Sequence, residues 1–199
     1  MSAALEWVHW WHHAWRQATP EWQPLDLARL SASRLDALAR GHHATLARRF
    51  GMTPCTPPRP SPAQQALLCT PAALALACEL VATTCSPLTA TPALSAQDRA
   101  WCERTAKALR PGHWLEPDQD PLALLRAWLD EPTWQRARLA FPRARIMAIE
   151  CSTAPQPQPP AARLDTLWQS ACWKAGQSLA SPVPTPHDTE IHDARPALA

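Results

Sequence analysis

The stretch from residue 6 to residue 15 carries the densest group of side chains that could bind a metal ion. It reads EWVHWWHHAW, with four tryptophans and three histidines in ten positions. On a helix, Glu6, His9 and His13 would share one face, because they stand three and four residues apart. An E-x-x-H pair supplies ligands in carboxylate-bridged di-iron bundles, where a second such pair lies on another helix. The sequence has no second E-x-x-H and no H-E-x-x-H, which weakens the case for a metal site. A small helical metal-binding protein using Glu6, His9 and His13 is therefore kept only as an alternative hypothesis.

The same stretch predicts an amphipathic helix with an aromatic face. At 100° per residue, one arc contains Trp7, Val8, Trp10, Trp11, Ala14 and Trp15. The opposite arc contains Glu6, His9, His12, His13 and Arg16. We therefore expect the tryptophans to pack this helix against its neighbours and the histidines to face water.

Other kinds of catalytic site have little support in the sequence. There is no G-x-S-x-G motif, and the four glycines leave little room for a phosphate-binding loop. The seven cysteines include no C-x-x-C pair, which argues against a zinc module or a disulfide framework. We predict that the protein is not an enzyme and uses no cofactor.

Four arginines lie close together in the sequence, at Arg136, Arg138, Arg143 and Arg145. They allow a second alternative hypothesis, a nucleic-acid-binding regulator that contacts phosphates through these side chains. The chain as a whole has 19 basic and 17 acidic residues, a net charge of only +2, which does not favour a nucleic-acid partner. The simpler interpretation is a basic strip that faces solvent or a protein partner.

The elements that must position these residues are predicted to be short helices separated by prolines. Helical spacing covers residues 24–52 in two helices, 63–86, 95–110 after an N-cap at Ser95, 121–131 after an N-cap at Asp120, 132–141 and 161–179. RARIMAIEC, residues 143–151, is the one stretch that could form a short strand. The predicted fold class is all-α, an irregular bundle of about seven or eight short helices.

Proline-rich segments set the expected domain organisation. Connectors near residues 53–62 and 154–160 are expected to be extended, and together with the helices they predict a single helical domain over residues 1–180. Residues 181–199 are polar and proline-rich, which predicts a disordered tail. No secretion signal and no run of about 18 apolar residues occurs, so we expect a cytoplasmic protein.

The segment PLALLRAWLDEPTWQRARLAFPRAR, residues 121–145, has a recognisable pattern. A leucine-rich helix ends in a Trp-Leu-acid step, and a tryptophan, spaced arginines and Leu-x-Phe-Pro-Arg follow. This pattern resembles the C-terminal half of the SctK family, accessory cytoplasmic proteins of bacterial type III secretion systems. The segments AWRQATPEWQ and RLSASRLDALAR are similar to the opening of plant-pathogen-type members. The resemblance spans about residues 5–145 and is strongest over 121–145.

The resemblance implies a largely helical adaptor of the cytosolic sorting platform, without catalysis or cofactor. Such an adaptor would bridge the cytoplasmic domain of the inner-membrane ring protein (SctD) to the pod protein (SctQ). It would lie at the cytoplasmic face of the inner membrane and reach the membrane only through these partners. Trp128, Trp134, Arg138 and Phe141 match the family-like stretch and are the candidates for a partner interface. Packing in the core is the alternative role for Trp128 and Phe141.

Overall fold

Helices make up all the regular secondary structure in the part of the chain that the computed structural model describes. The described residues are 2–86, 94–116, 119–152 and 159–180. Within them the all-α prediction is confirmed, with nine α-helices in place of the expected seven or eight. They are α1 (Ala3–His13), α2 (Ala32–Arg49), α3 (Pro62–Leu68), α4 (Pro71–Cys85), α5 (Ala96–Leu109), α6 (Pro121–Trp128), α7 (Glu131–Ala137), α8 (Arg143–Glu150) and α9 (Ala161–Ala180). The predicted tail and most of the 154–160 connector lie outside the described residues.

Side-chain caps explain where several of these short helices begin. Ser95 accepts a hydrogen bond from the backbone N of Asp98 at the start of α5, as predicted. Asp120 does the same for Leu122 at the start of α6, and Pro121 occupies the first helical turn. In each case the side chain satisfies a backbone N–H that has no partner within the helix.

The stretch RARIMAIEC is helical, so the prediction of a short strand there was wrong. Its first eight residues form α8, in which Ile146 is buried and Met147 is exposed. The described residues contain no strand with which this segment could pair. A helix satisfies its backbone hydrogen bonds within itself, whereas an isolated strand leaves them unpaired.

Residues 24–52 contain two helical segments, as predicted, but both lie within α2 and are joined by a kink. Helix α2 starts after Ser31 and bends at His42, whose φ of −137° and ψ of 39° lie outside the helical region. The bend follows Gly41, which the sequence marks as a point of interruption. Residues 24–30 form turns before the helix.

The core is organised around α4, which packs against α3, α5, α6 and α9. Its residues Leu74, Ala77, Leu80 and Val81 are all buried, as expected for a helix that is apolar on nearly every side. The predicted inner face of α9 is also confirmed, with Leu164, Leu167, Trp168 and Cys172 buried. The α4–α9 pair therefore forms the centre of the bundle.

The aromatic face of α1 attaches the N-terminal helix to the proline-rich connector. Trp7, Trp10 and Trp11 are buried as predicted, whereas Val8 is exposed. The Trp7 Nε1 donates to the carbonyl of Pro58 at 2.9 Å, and the Trp11 Nε1 donates to the carbonyl of Cys55 at 3.1 Å. These bonds satisfy carbonyls of a connector that has no helix or strand of its own.

Within the described ranges, no single helix has the length and apolar character needed to cross a membrane. Taken together, α3 and α4 would meet that requirement, but the chain turns by 110° between them.

Candidate partner-binding surface

The four residues proposed for a partner interface occupy different environments. Trp134 is fully buried, and its Nε1 donates to Glu150 Oε1 at 2.8 Å, so it cannot contact a partner. Trp128 is partly buried and stacks on Trp168 with a centroid distance of 5.6 Å. Both tryptophans therefore pack within the bundle, while Arg138 and Phe141 are partly buried.

The arginines from residue 136 to 145 do not form one continuous basic strip. The guanidinium of Arg136 is buried, and that of Arg145 forms an ion pair with Asp120 at 2.8 Å. Arg138 Nη1 donates to both carboxylate oxygens of Glu150, at 2.8 and 3.0 Å. Of the four side chains, Arg143 and Arg145 are exposed, Arg138 is partly buried and Arg136 is buried, so the four do not share one solvent-facing strip.

Arg138 also joins the end of α2 to the helical turn that follows α7. Its Nη2 donates to the carbonyl of Gly51 at 2.9 Å. Gly51 adopts a φ of +68°, which favours glycine, and an added Cβ would lie 3.0 Å from that same Nη2. Glycine at this position therefore allows the guanidinium to approach the backbone closely.

Beside Arg138 lies a cavity of about 340 Å³, which we call the arginine pocket. Its wall includes Trp22, Arg48, Arg49, Arg138, Arg143 and Met147. The guanidiniums of Arg138 and Arg143 lie 5.2 and 5.5 Å from the centroid of the Trp22 ring. The Trp22 Nε1 donates to the carbonyl of Phe141 at 2.9 Å, which fixes the ring in place. The pocket therefore presents cations held against an aromatic face.

No pattern in the sequence indicates that Trp22 and Arg48 belong to this surface. Trp22 lies in a short 3-10 helix, Pro20–Trp22, where no periodicity marks a face. Arg48 is one of two arginines in the last turn of α2, a common place for a cation. Their convergence depends on tertiary packing between distant segments.

A second surface feature is an apolar groove of about 640 Å³ between α3 and α9. Small residues line much of it, including Ala63, Ala66, Gly176 and Ala180. Trp173 lies beside them, and 61% of its surface is exposed to solvent. The groove shares no lining residue with the arginine pocket.

Replacing Gly176 with alanine is expected to raise the free energy of unfolding by about 0.5–1 kcal/mol, since glycine costs that much relative to alanine inside a helix. Gly176 lies within α9, and an added Cβ would meet nothing within 4 Å. Urea unfolding monitored by circular dichroism measures the change, and a loss of stability would contradict the open space at this position. Gly51→Ala is the matched control and is expected to be destabilising, because its φ is positive.

The histidines of α1 do not assemble a metal site with Glu6. The rings of His9 and His13 stack with a centroid distance of 4.4 Å, and His13 Nδ1 hydrogen-bonds to the carbonyl of His9 at 3.0 Å. Among the described residues, no three His, Cys, Asp or Glu side chains come close enough together to hold a metal ion. The ligand set of the metal hypothesis is therefore not brought together.

His12 instead contacts His43 of α2, with 2.9 Å between His12 Nδ1 and His43 Nε2. Burial lowers the pKa of both imidazoles below 6.5. The charge of Arg136 lowers both pKa values further, and the charge of a protonated His43 also lowers that of His12. A hydrogen bond between the two rings requires one of them to be neutral. The pair therefore keeps this hydrogen bond between α1 and α2 only while at least one of the two rings is neutral.

Acidification is expected to weaken this link. Because the folded-state pKa values of His12 and His43 lie below their ordinary value of 6.5, the unfolded chain binds more protons and stability falls as the pH drops below 6.5. A His43→Gln variant should lose less stability than the wild type on that acidic side, as measured by urea unfolding at a series of pH values. Equal pH dependence of the two proteins would count against the pair, and His113→Gln on an exposed turn provides the control.

Comparison with protein-family models, with curated proteins and with solved structures gave no match for this chain. What the protein can bind therefore has to be inferred from its own surfaces. Among these surfaces are the arginine pocket and the apolar groove.

Proposed function

We propose that the protein is a non-enzymatic adaptor of a bacterial type III secretion sorting platform, linking the inner-membrane ring protein to the cytoplasmic pod protein. The observation that supports this most is the placement of the SctK-like segment, residues 121–145. This segment contributes Arg138 and Arg143 to the arginine pocket, where both face Trp22. Tryptophan and arginine are the side chains most enriched in the energetic centres of protein–protein interfaces.

An adaptor has to hold two proteins at once, and two of the cavities on the described part of the chain differ in chemistry. The arginine pocket is cationic and aromatic, and it is built from residues 22–24, the end of α2, Arg138 and α8. The groove is apolar and lies between α3 and α9. Because the two share no lining residue, occupation of one would leave the other open. In this proposal the protein reaches the cytoplasmic face of the inner membrane through its protein partners alone.

Co-purification from a secreting host tests the proposal directly. The tagged full-length chain is expected to recover the ring protein and the pod protein, identified by mass spectrometry. The same tag on an unrelated protein of similar size provides the background. Recovery of neither component from a host that is actively secreting would contradict the proposal.

A further inference from the structure

We infer that the arginine pocket binds an acidic segment of a partner protein, in which a carboxylate side chain stands next to an apolar one. This inference rests on the proposed function, because it names the chemistry of one of the adaptor's partners. It depends on Arg48, Arg143 and Trp22, of which only Arg143 belongs to the arginine cluster visible in the sequence.

The pocket contains two cations that the described residues leave without an ion pair. Arg49 pairs with Asp26 and Arg138 pairs with Glu150, whereas no carboxylate in the described ranges pairs with the guanidinium of Arg48 or of Arg143. Both side chains are exposed and line the same cavity. Two like charges in one small cavity repel each other, and a bound carboxylate would remove that repulsion and accept hydrogen bonds from both.

Apolar and aromatic surface lies next to these cations. Met147 of α8 is 42% exposed and lines the pocket, as do Pro24 and Phe50. The Trp22 ring is held by its bond to the Phe141 carbonyl and already lies against the Arg143 guanidinium. An apolar side chain beside the ligand carboxylate would contact this wall without reorganising the pocket, which lowers the entropic cost of binding.

The shape and charge of the pocket favour a protein segment over a nucleic acid. Nucleic acids are bound by many cations arranged along the phosphate backbone, whereas here two free guanidiniums share one cavity of about 340 Å³. The carboxylate of Glu21 lies at the edge, where its Oε2 accepts a hydrogen bond from the backbone N of Arg143 at 2.7 Å. Glu21 and Glu150, which pairs with Arg138, would together repel a polyanion that extends beyond the cavity.

Titration of the full chain, carrying ¹⁵N-labelled tryptophan, with a defined peptide tests the inference. The probe is an acetylated, amidated Leu-Glu-Glu-Phe-Leu peptide, and the Gln-Gln analogue is its neutral counterpart. The indole N–H of Trp22, identified with a Trp22→Phe variant, should shift and saturate with the acidic peptide. Replacing Arg48 and Arg143 together with glutamine should raise the Kd at least about tenfold, the range expected for losing charge-assisted hydrogen bonds.

The matched control is the double variant Arg34→Gln/Arg104→Gln, which removes the same charge from exposed arginines outside the pocket. It should keep the wild-type Kd within about twofold, as expected of rim charges. An equal loss in this control, equal binding of the Gln-Gln peptide, or no saturable shift would overturn the inference. It would also be overturned if inorganic phosphate or a short DNA duplex bound more tightly and displaced the peptide.

The same Arg48→Gln/Arg143→Gln variant separates this inference from the proposed function. If the wild type recovers ring and pod proteins and the variant loses one of them, both are supported. If the variant still recovers both proteins, the pocket inference fails while the adaptor proposal stands. If the wild type recovers neither but peptide binding depends on the two arginines, the adaptor proposal fails and the pocket inference stands.

Discussion

Replacing Arg136 with methionine is expected to lower the free energy of unfolding by about 2–4 kcal/mol, the range for losing several hydrogen bonds from a buried charged group. The side chain is only 2% exposed. Its Nε donates to the carbonyl of Trp11 at 3.1 Å, and its Nη1 and Nη2 donate to those of Pro132 and Thr53, at 2.8 and 3.2 Å. Methionine fills similar volume but donates nothing to these three carbonyls.

The guanidinium of Arg136 also lies 3.7 Å from the centroid of the Trp11 ring. Burial lowers the pKa of Arg136, which reflects the cost of removing this cation from water. The planar fork serves three carbonyls at once, so Arg136→Lys should keep the charge but recover less than half of the loss. Urea unfolding of both variants measures these changes. Arg104→Met on the exposed face of α5 is the control, and its free energy of unfolding should lie within about 0.5 kcal/mol of the wild type. A loss below about 1 kcal/mol for Arg136→Met would contradict the assigned role.

Replacing Lys174 with methionine should be more damaging, at about 3–5 kcal/mol, because it leaves the carboxylate of Asp98 buried without its cation. Lys174 Nζ lies 2.8 Å from Asp98 Oδ1, and the two residues are 5% and 6% exposed. Ser95 and Ser178 also donate to this carboxylate, at 2.6 and 2.7 Å. The cluster fixes α9 to the start of α5, at the edge of the central helix pair.

The pH dependence of stability provides a second measurement on the same cluster. Burial alone would raise the pKa of Asp98, but the hydrogen bonds from Lys174, Ser95 and Ser178 outweigh it and hold the pKa at about 2, below its ordinary 3.8. The folded-state pKa is the lower one, so the contribution to stability is complete above about pH 4 and is lost as the pH falls towards 2. The wild type should show this acid loss in urea unfolding, and Lys174→Met should show less of it.

A double variant separates the ion pair from simple loss of packing. Asp98→Leu/Lys174→Met removes both charges, so it should be less destabilised than Lys174→Met alone. If its loss equals the sum of the two single losses, the charges are not coupled and the explanation fails. Lys107→Met on the exposed side of α5 is the matched control for removing one lysine.

Local patterns in the sequence were enough to predict most of the helices. The caps at Ser95 and Asp120 and the inner face of α9 depend on residues within a few positions of each other, and each was found where expected. The stretch at 143–151 was misjudged because its nine residues are too few, and its apolar side chains too evenly spread, to show a helical period. Its helical state depends on tertiary surroundings that its own residues do not encode.

The candidate site could not be predicted in the same way, since closeness in sequence is not closeness in space. Arg136 and Arg138 stand two residues apart, about 200° around a helix, so one guanidinium enters the core while the other lies beside the pocket. Trp134 matched the family-like pattern but is buried. Trp22, Arg48 and Arg143 come from three distant segments, and only the folded chain shows that they meet.

The bond from Arg136 to the Trp11 carbonyl joins residues 125 positions apart, and this has a consequence for how the protein is made. A ribosome adds about 5–20 residues per second, so α1 emerges roughly 6–25 s before the side chain that holds it in place. During that interval Trp7 and Trp11 can bond only to the carbonyls of Pro58 and Cys55, which are made earlier, and the contact of the Arg136 guanidinium with the Trp11 ring is still missing. Helix α1 therefore completes its packing only after residue 136 has been made, long after its own residues have left the ribosome.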